Sequence, residues 1–563
     1  MKKIELLAPA GSYEALVAAV ENGADAVYFG ASLFNARMMA KNFSREDVIK
    51  AVNYCHENGV LCHVTMNTAI TDRQMKDALN QVQFLYEAGV DALIVADLGL
   101  ATEIHKSLPD FELHASTQCS AHNLDAVHFL KDLGFSRVVV ARELDKDNLR
   151  TICQNSPVEI EAFVHGALCV SQSGQCLFSS FLGGRSGNRG ECAQPCRMMY
   201  NGKYPLSLKD LSLAEHITEL LDMGVASLKI EGRMKSPDYV GRVVRIFRRL
   251  LDEGRNATKE EMASLAEIFS RSGFTDGYFE KKISSAMLGI RTERDLEATR
   301  RAEKQGGAYQ NTREPITIAE RRNKVVLNKA PIGKKGKAMP SARFYNPNCI
   351  PADYKARGVE IAYLPLDLFA KGAANGVVLP PVIFDSEREA VLEKLKTAVK
   401  NGATHALVGN VGHIALAKEA GLTLHGDWRL NIMSSYTASV FDEIMEDVTL
   451  SPELILPQIR DIRFNKNVIV YGRQILMTLE KPVGAPSLTD RTKAVFPILH
   501  EGGRDILINS VPTYMADRKS ELDKAGEMGY HFLFTTEGKQ ETLNILTSYE
   551  KGWTTKKAVR RIK

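Results

Sequence analysis

SREDVIKAVNYCHENGVLCHVTMNTAITDRQMKDALNQVQFLYEAGVDALIVAD, residues 44–97, decides the fold. Two of its segments, SREDVIKAVNYCHENG and DRQMKDALNQVQFLYEAG, carry apolar residues at helical spacing and stop at Asn-Gly or Ala-Gly. Each runs into a short apolar stretch, VLCHVTMN or DALIVAD, of the kind that forms a buried strand. The alternation continues outward, through IELLAPAG and DAVYFG before it and FELHAST, RVVVARE, VEIEAFVHG and ASLKIEG after it. Parallel strands need crossover helices, so eight βα-type units in a row predict an α/β chain that opens with a TIM-like (β/α)8 barrel over residues 1–299. One link is irregular: that between the seventh and eighth strands is long and carries a run of cysteines over 161–197.

Strand C-termini in such a barrel meet at the active-site mouth. They collect Asn67, Asp97, Gln118, Arg142, Glu143, His165, Glu231 and Arg233, each of which also reads as a turn or cap residue. Residues 235–295 read as mostly helical.

At 563 residues, 44% hydrophobic and 25% charged, the chain has the make-up of a soluble protein of two or three domains. No apolar run approaches the roughly 20 residues that span a bilayer. The start, MKKIELLAPAGSYEAL, reads as a strand and not as a signal peptide. The expectation is a cytoplasmic protein with no membrane role, whose nine cysteines serve metal, catalysis or core. The net charge of +4 is mild, but residues 300–337 hold eleven Lys or Arg against three Glu. We expect a basic linker at 300–339, with a short hairpin in ITIAERRNKVVLN, and a basic tail at 551–563. Such segments suit a phosphate backbone, although charge alone equally describes solvated chain.

From about residue 340 the alternation resumes as an internal repeat. The segment from Ala96 parallels that from Gly409, pairing His114 with His425; further blocks pair Glu143 with Glu453 and Gly166 with Gly472. Residues 340–550 are therefore expected to form a second, degenerate module resembling part of the barrel. It has YGRQILMTLEKP where the first copy has HGALCVSQSGQC, which predicts a binding or positioning role.

Cys169, Cys176, Cys192 and Cys196 are spaced x6, x15, x3. Four thiolates suffice for tetrahedral zinc or a 4Fe-4S cluster, and the wide, uneven gaps favour iron–sulfur over the paired C-x2–4-C of structural zinc. The stretch GGRSGNRG allows close backbone approach, and Arg185, Arg189 and Arg197 would offset thiolate charge. Cys55, Cys62, Cys119, Cys153 and Cys349 read as ordinary thiols.

The N-terminal PAG, the YFG, the block from Glu161 to Cys196 and the IEGRMKSPDYV segment resemble the collagenase-like peptidase family U32. The resemblance covers the barrel and implies a 4Fe-4S cluster on Cys169, Cys176, Cys192 and Cys196. It also implies either proteolysis or oxygen-independent 5-hydroxylation of a pyrimidine in RNA, a 23S rRNA cytidine or a tRNA uridine, with prephenate as hydroxyl donor. Proteolysis finds little in the residues: there is no H-E-x-x-H and no G-x-S-x-G, and Cys169 cannot be both nucleophile and iron ligand. For hydroxylation, Arg142, Arg233 and Lys235 would anchor an anionic donor, and His165, His114 and Glu143 would handle protons. Each histidine also reads as buried and bonded to backbone. Three readings stand: an RNA hydroxylase, a U32-type peptidase, and a non-catalytic RNA-binding or assembly factor with a structural metal site.

Overall fold

The computed structural model describes residues 4–38, 41–301, 313–334 and 336–551. Its contacts divide the chain into two compact units. The first is 1–68, 76–174 and 187–327; the second is 69–75, 175–186 and 328–563. These bounds differ from a division at 300 and 340, because chain up to 327 stays with the first unit. A short piece from within the cysteine run groups with the second.

The first unit is built on β1 (Glu5–Pro9), β2 (Ala26–Gly30), β3 (Leu61–Met66), β4 (Ala92–Val95), β5 (Glu112–Ala115), β6 (Arg137–Val139) and β7 (Glu159–Gly166), with β8 (Asp210–Ser212) and β9 (Ser227–Ile230) following. Neighbours β1 to β7 pair in parallel, and β9 pairs in parallel with both β7 and β1, so eight strands close a ring. β8 lies outside it, antiparallel to the end of β7. Helices cover the ring, so its strands are buried on both faces and read as near-continuous apolar runs. Burying each Val or Leu of the kind found at Leu6, Val27 and Leu93 contributes roughly 1.5–3 kcal/mol. Side-chain caps start the helices: Ser12 for α1 (Tyr13–Glu21), and Ser44 boxed with Asp47 for α2 (Arg45–Glu57). α3 (Asp72–Glu87) and α4 (Leu98–Ser107, capped by Asp97) follow. The eighth crossover position is taken by a long helix over Pro237–Glu253, which returns against α1 through Arg245 on Asn22 and Arg248 on Asp25.

The expected hairpin at ITIAERRNKVVLN does not form; residues 313–334 hold no strand. Its alternating apolar residues find no partner strand, and the chain is held at the C-terminal ends of the barrel helices. Arg313 donates to the carbonyls of Gly23 and Ala24 after α1, the Ile316 amide to His56 O in α2, and Arg321 to Tyr86 O and Val90 O at the end of α3, both 2.8 Å. Guanidinium groups there meet the free carbonyls and the negative pole of each helix. Residues 302–312 and Lys335 of the expected basic linker, and the tail beyond 551, lie outside the described residues.

The second unit is more complete than the repeat suggested. Eight strands, Ser341–Phe344, Ile361–Pro365, Gly376–Val378, His405–Val408, Thr423–Gly426, Val448–Thr449, Lys466–Gly472 and Gly529–Phe534, pair in parallel and also close a ring. Registers match between rings: Ile94 faces His114 as Leu407 faces His425, and Ala115 faces Val138 as Gly426 faces Val448. The seventh strand of each ring slips register against the last, between Phe163 and His165 and between Ile469 and Tyr471. Each slip is followed by a glycine at positive φ, Gly166 at 106° and Gly472 at 131°. A Cβ there would lie 2.4 Å from Glu231 O and 2.2 Å from Leu533 O respectively. A four-stranded antiparallel sheet over 475–508 completes this unit. With Leu177 and Phe181 of the 175–186 piece, it shares an apolar cluster with Trp428, Ile469 and Leu533. Among the described residues, no helix is long and apolar enough to cross a membrane.

Candidate functional site

Side chains pointing inward from alternate strand positions fill the first ring and leave a cavity at the C-terminal ends of its strands. It encloses about 420 Å3, its opening to solvent included, and is lined among others by Tyr28, Arg37, Thr65, Asn67, Ser116, Gln118, Arg142, Phe163, Lys229, Glu231 and Arg233. Four cations face one another here with few acids to balance them. Glu231 binds Arg37 Nη2 at 3.2 Å, lies 3.9 Å from Arg142 Nη2, and accepts the Tyr28 hydroxyl at 3.4 Å. Burial works to raise the Glu231 pKa, but Arg37, Arg142, Arg233 and Lys229 outweigh it and hold the carboxyl at about 2. Arg233 donates to Thr65 Oγ1 at 3.0 Å, and burial followed by repulsion from Arg37 lowers its pKa to about 10. Arg142 stacks 4.0 Å over Phe163, and its buried Nε has no hydrogen-bond partner among the described residues. Below them, Lys229 Nζ lies 2.7 Å from Glu161 Oε1, while Arg137 joins Glu161, Glu5 and Glu159. The surplus of positive charge in this partly enclosed site fits an anionic ligand.

The cysteine segment borders this cavity. Gly190, at φ 88°, leaves room for the loop after β2, since a Cβ there would lie 2.3 Å from Asn35 O. That loop carries Arg37. Cys169, Cys192 and Cys196 are close enough to influence one another's ionisation. Burial raises the Cys196 thiol to about 12, with Cys169 and Cys192 adding to the rise and Arg197 opposing it. Burial raises the Cys169 thiol too, and Arg142 opposes it. Glu231 is the main cause of the raised Arg37 pKa, and Cys192 adds a smaller contribution. The Gln194 amide donates to Cys192 Sγ at 3.4 Å. Buried Ser171 Oγ and both amide atoms of Gln172, in the same segment, have no hydrogen-bond partner among the described residues. Three thiols within electrostatic reach of one another, guanidinium groups near them, an N–H on sulfur and unused polar atoms suit an anionic metal–sulfur group. Cys176 stands in the 175–186 piece of the second unit.

Of the residues singled out in the sequence, Arg142 and Arg233 line the cavity. The proton-handling candidates do not; among the described lining residues there is neither His nor Glu143. His165 packs on the outer side of β7 against Phe247 and Phe274, and burial lowers its pKa to about 3. The register slip at this point turns it from the ring interior. His114 points inward but sits deeper, edge-on to His63 at 4.8 Å, and burial followed by Arg137 lowers its pKa to about 3. Glu143 is buried 4.0 Å from His122 Nε2 and adds to the field that raises Cys169. Lys235 lies over the Phe269 ring, where burial followed by Arg291 brings its pKa to about 7. Sequence reading missed Arg37 and Lys229. Lys229 had a signal: in ASLKIEG it is two positions before Glu231, on the same strand face.

The model of peptidase family U32 matches residues 11–287, which hold every strand of the first ring except β1. A collagenase of Porphyromonas gingivalis is 37% identical over 306 residues, 49% of this chain and 73% of that protein. The chain belongs to peptidase family U32. Within U32, the chain is 41% identical over 288 residues to the 23S rRNA 5-hydroxycytidine C2501 synthase of Escherichia coli K12. That match covers 49% of this chain and 43% of that protein's length. The tRNA hydroxylation protein P1 of Bacillus subtilis is 38% identical over 268 residues, 45% of this chain and 64% of that protein. The chain's relatives thus include proteins named for RNA hydroxylation as well as for proteolysis.

Proposed function

We propose that the first ring is an iron–sulfur hydroxylase that places oxygen on carbon five of an RNA pyrimidine, a 23S rRNA cytidine or a tRNA uridine. The observation that carries this reading is that Arg142 and Arg37 line the anion cavity and are also charged neighbours of Cys169 and Cys192 respectively. A cavity holding an anionic co-substrate and a redox group at its edge are the two parts that hydroxylation without dioxygen needs. Cys169, Cys192 and Cys196 would hold a 4Fe-4S cluster, with Cys176, seven residues after Cys169, as the fourth thiolate of the motif. Bound there, the cluster supplies one-electron chemistry.

The chain's own residues do the rest. Arg142 and Arg233 bind the carboxylate of a donor such as prephenate, and Glu231 holds the guanidinium groups apart and oriented. Phe163 and Tyr28 keep water from the cavity floor. A pyrimidine reaches such a mouth only when turned out of its strand, which single-stranded or looped RNA permits. The relatives named for RNA hydroxylation support this reading. Those named for proteolysis keep a peptidase as the competing one, against a cavity whose described lining has no His or Cys.

Two measurements test it. Protein purified without air should show visible cluster absorbance and iron in proportion to protein, both lost when Cys192 is changed to Ser. Nucleoside mass spectrometry of tRNA and rRNA from a deletion strain should show a 5-hydroxypyrimidine missing. Peptide release that survives changing all four cysteines to serine, with every 5-hydroxypyrimidine retained, refutes the proposal in favour of proteolysis.

A further inference from the structure

We infer that Lys229 is a carbonyl-trapping lysine: the cavity takes a small 2-oxo acid and joins its ketone carbon to Lys229 Nζ as an imine. The inference needs neither RNA nor a cluster.

A lysine that only balances a buried carboxylate has no reason to line a cavity. Lys229 does so from the floor, 4% exposed, with Nζ 4.4 Å from the centre of the Tyr28 ring. Phe163 lies on another side, at 5.4 Å. Glu161 has a second cation of its own, Arg137 Nη1 at 3.3 Å, so its negative charge is not balanced by the lysine alone. Burial lowers the Lys229 pKa, with Glu161 opposing, in line with an amine poised to lose its charge. Desolvated lysines beside other cations are the ones that attack carbonyl groups. Above the amine, Arg142 and Arg233 present guanidinium groups to the same space. An amine below and arginines above select a ligand that carries a carbonyl next to a carboxylate.

The step balances within these groups. Glu161 takes a proton from the Lys229 ammonium, and the freed amine attacks the ketone carbon to form the C–N bond. The former ketone oxygen receives that proton back from Glu161 and a second one from the attacking nitrogen, the C–O bond breaks, and the oxygen leaves as water. The products are a protonated imine and a restored carboxylate, with no oxidant or reductant consumed.

Pyruvate with sodium cyanoborohydride is the probe, applied to the full-length protein and read by peptide mass spectrometry. The expected result is a reduced pyruvate adduct on Lys229 ahead of every solvent-exposed lysine. Acetone, which has the carbonyl but no carboxylate, should leave Lys229 unlabelled. Lys229→Arg keeps the charge and the pairing with Glu161, and should lose the adduct entirely. Labelling of exposed lysines with none on Lys229 in the wild-type protein overturns the inference, whatever the variant does. Equal labelling by acetone overturns the role of the arginines. Because the readout is a covalent mass, absence of a cluster or of RNA activity leaves the test unaffected.

Discussion

Glu231→Gln removes one charge from the cavity without changing its shape, and its cost can be worked out from the site. The carboxylate is 8% exposed and has Arg37, Arg142, Arg233 and Lys229 around it. Folding takes its pKa from 4.5 to about 2. At about 1.4 kcal/mol per pH unit, the ionised form is favoured in the folded protein by roughly 3 kcal/mol, to order of magnitude. The glutamine variant loses that and leaves buried guanidinium groups without a counter-charge, so a loss of about 3 kcal/mol is expected at neutral pH. Folding lowers the pKa, so this contribution is complete above about 4.5 and drains away as the pH falls toward about 2. Wild type and variant should therefore converge in acid. Hydrogen exchange of amides in β9 reads the effect locally, which matters because two units need not unfold together. Citrate, a carboxylate probe, should restore more stability to the variant than to wild type, because the variant cavity has one more uncompensated charge. A variant as stable as wild type at neutral pH, or a deficit that persists unchanged in acid, would refute the electrostatic account of the cavity.

Gly166→Ala and Gly472→Ala each put a Cβ against a carbonyl oxygen at positive φ, and each should cost at least about 2 kcal/mol in thermal unfolding. Arg321→Ala removes two bonds to the carbonyls that end α3, and a loss of about 1–2 kcal/mol is expected in denaturant titration. The His216 pKa is raised, chiefly by its hydrogen bond to Asp276 at 3.0 Å, so its stabilising effect is present below the ordinary histidine pKa and lost as pH rises through the higher folded value. Asp276→Asn should flatten that part of the pH–stability curve.

The first ring was legible because each of its strands is a compact apolar run between amphipathic helices with clear stops. Half of the second ring was not. Its early strands are as short as Gly376–Val378, and Leu366–Leu368 forms a 3-10 turn in place of a crossover helix, so no helical period marks the spacing. The ITIAERRNKVVLN stretch misled in the opposite sense, since alternation records what a strand looks like and not whether a neighbour exists to pair with it. At the site, Arg142 and Arg233 were visible as charges at strand ends. Arg37 sits in a loop with no periodicity to place it. His165 was misplaced because a one-residue slip in β7 reverses which side chains face the interior.

The glycine kink shared by the two rings works as an internal control supplied by the molecule itself. The first ring carries the cavity described above and the thiols of Cys169, Cys192 and Cys196, yet both rings bend the seventh strand in the same way beside the last. What they have in common is the pairing of the seventh strand with the eighth, one step before the cylinder closes on its first strand. Intolerance to change at Gly166 therefore belongs to the carpentry of the barrel. A loss of activity at that position would say little about chemistry unless Gly472 behaved differently.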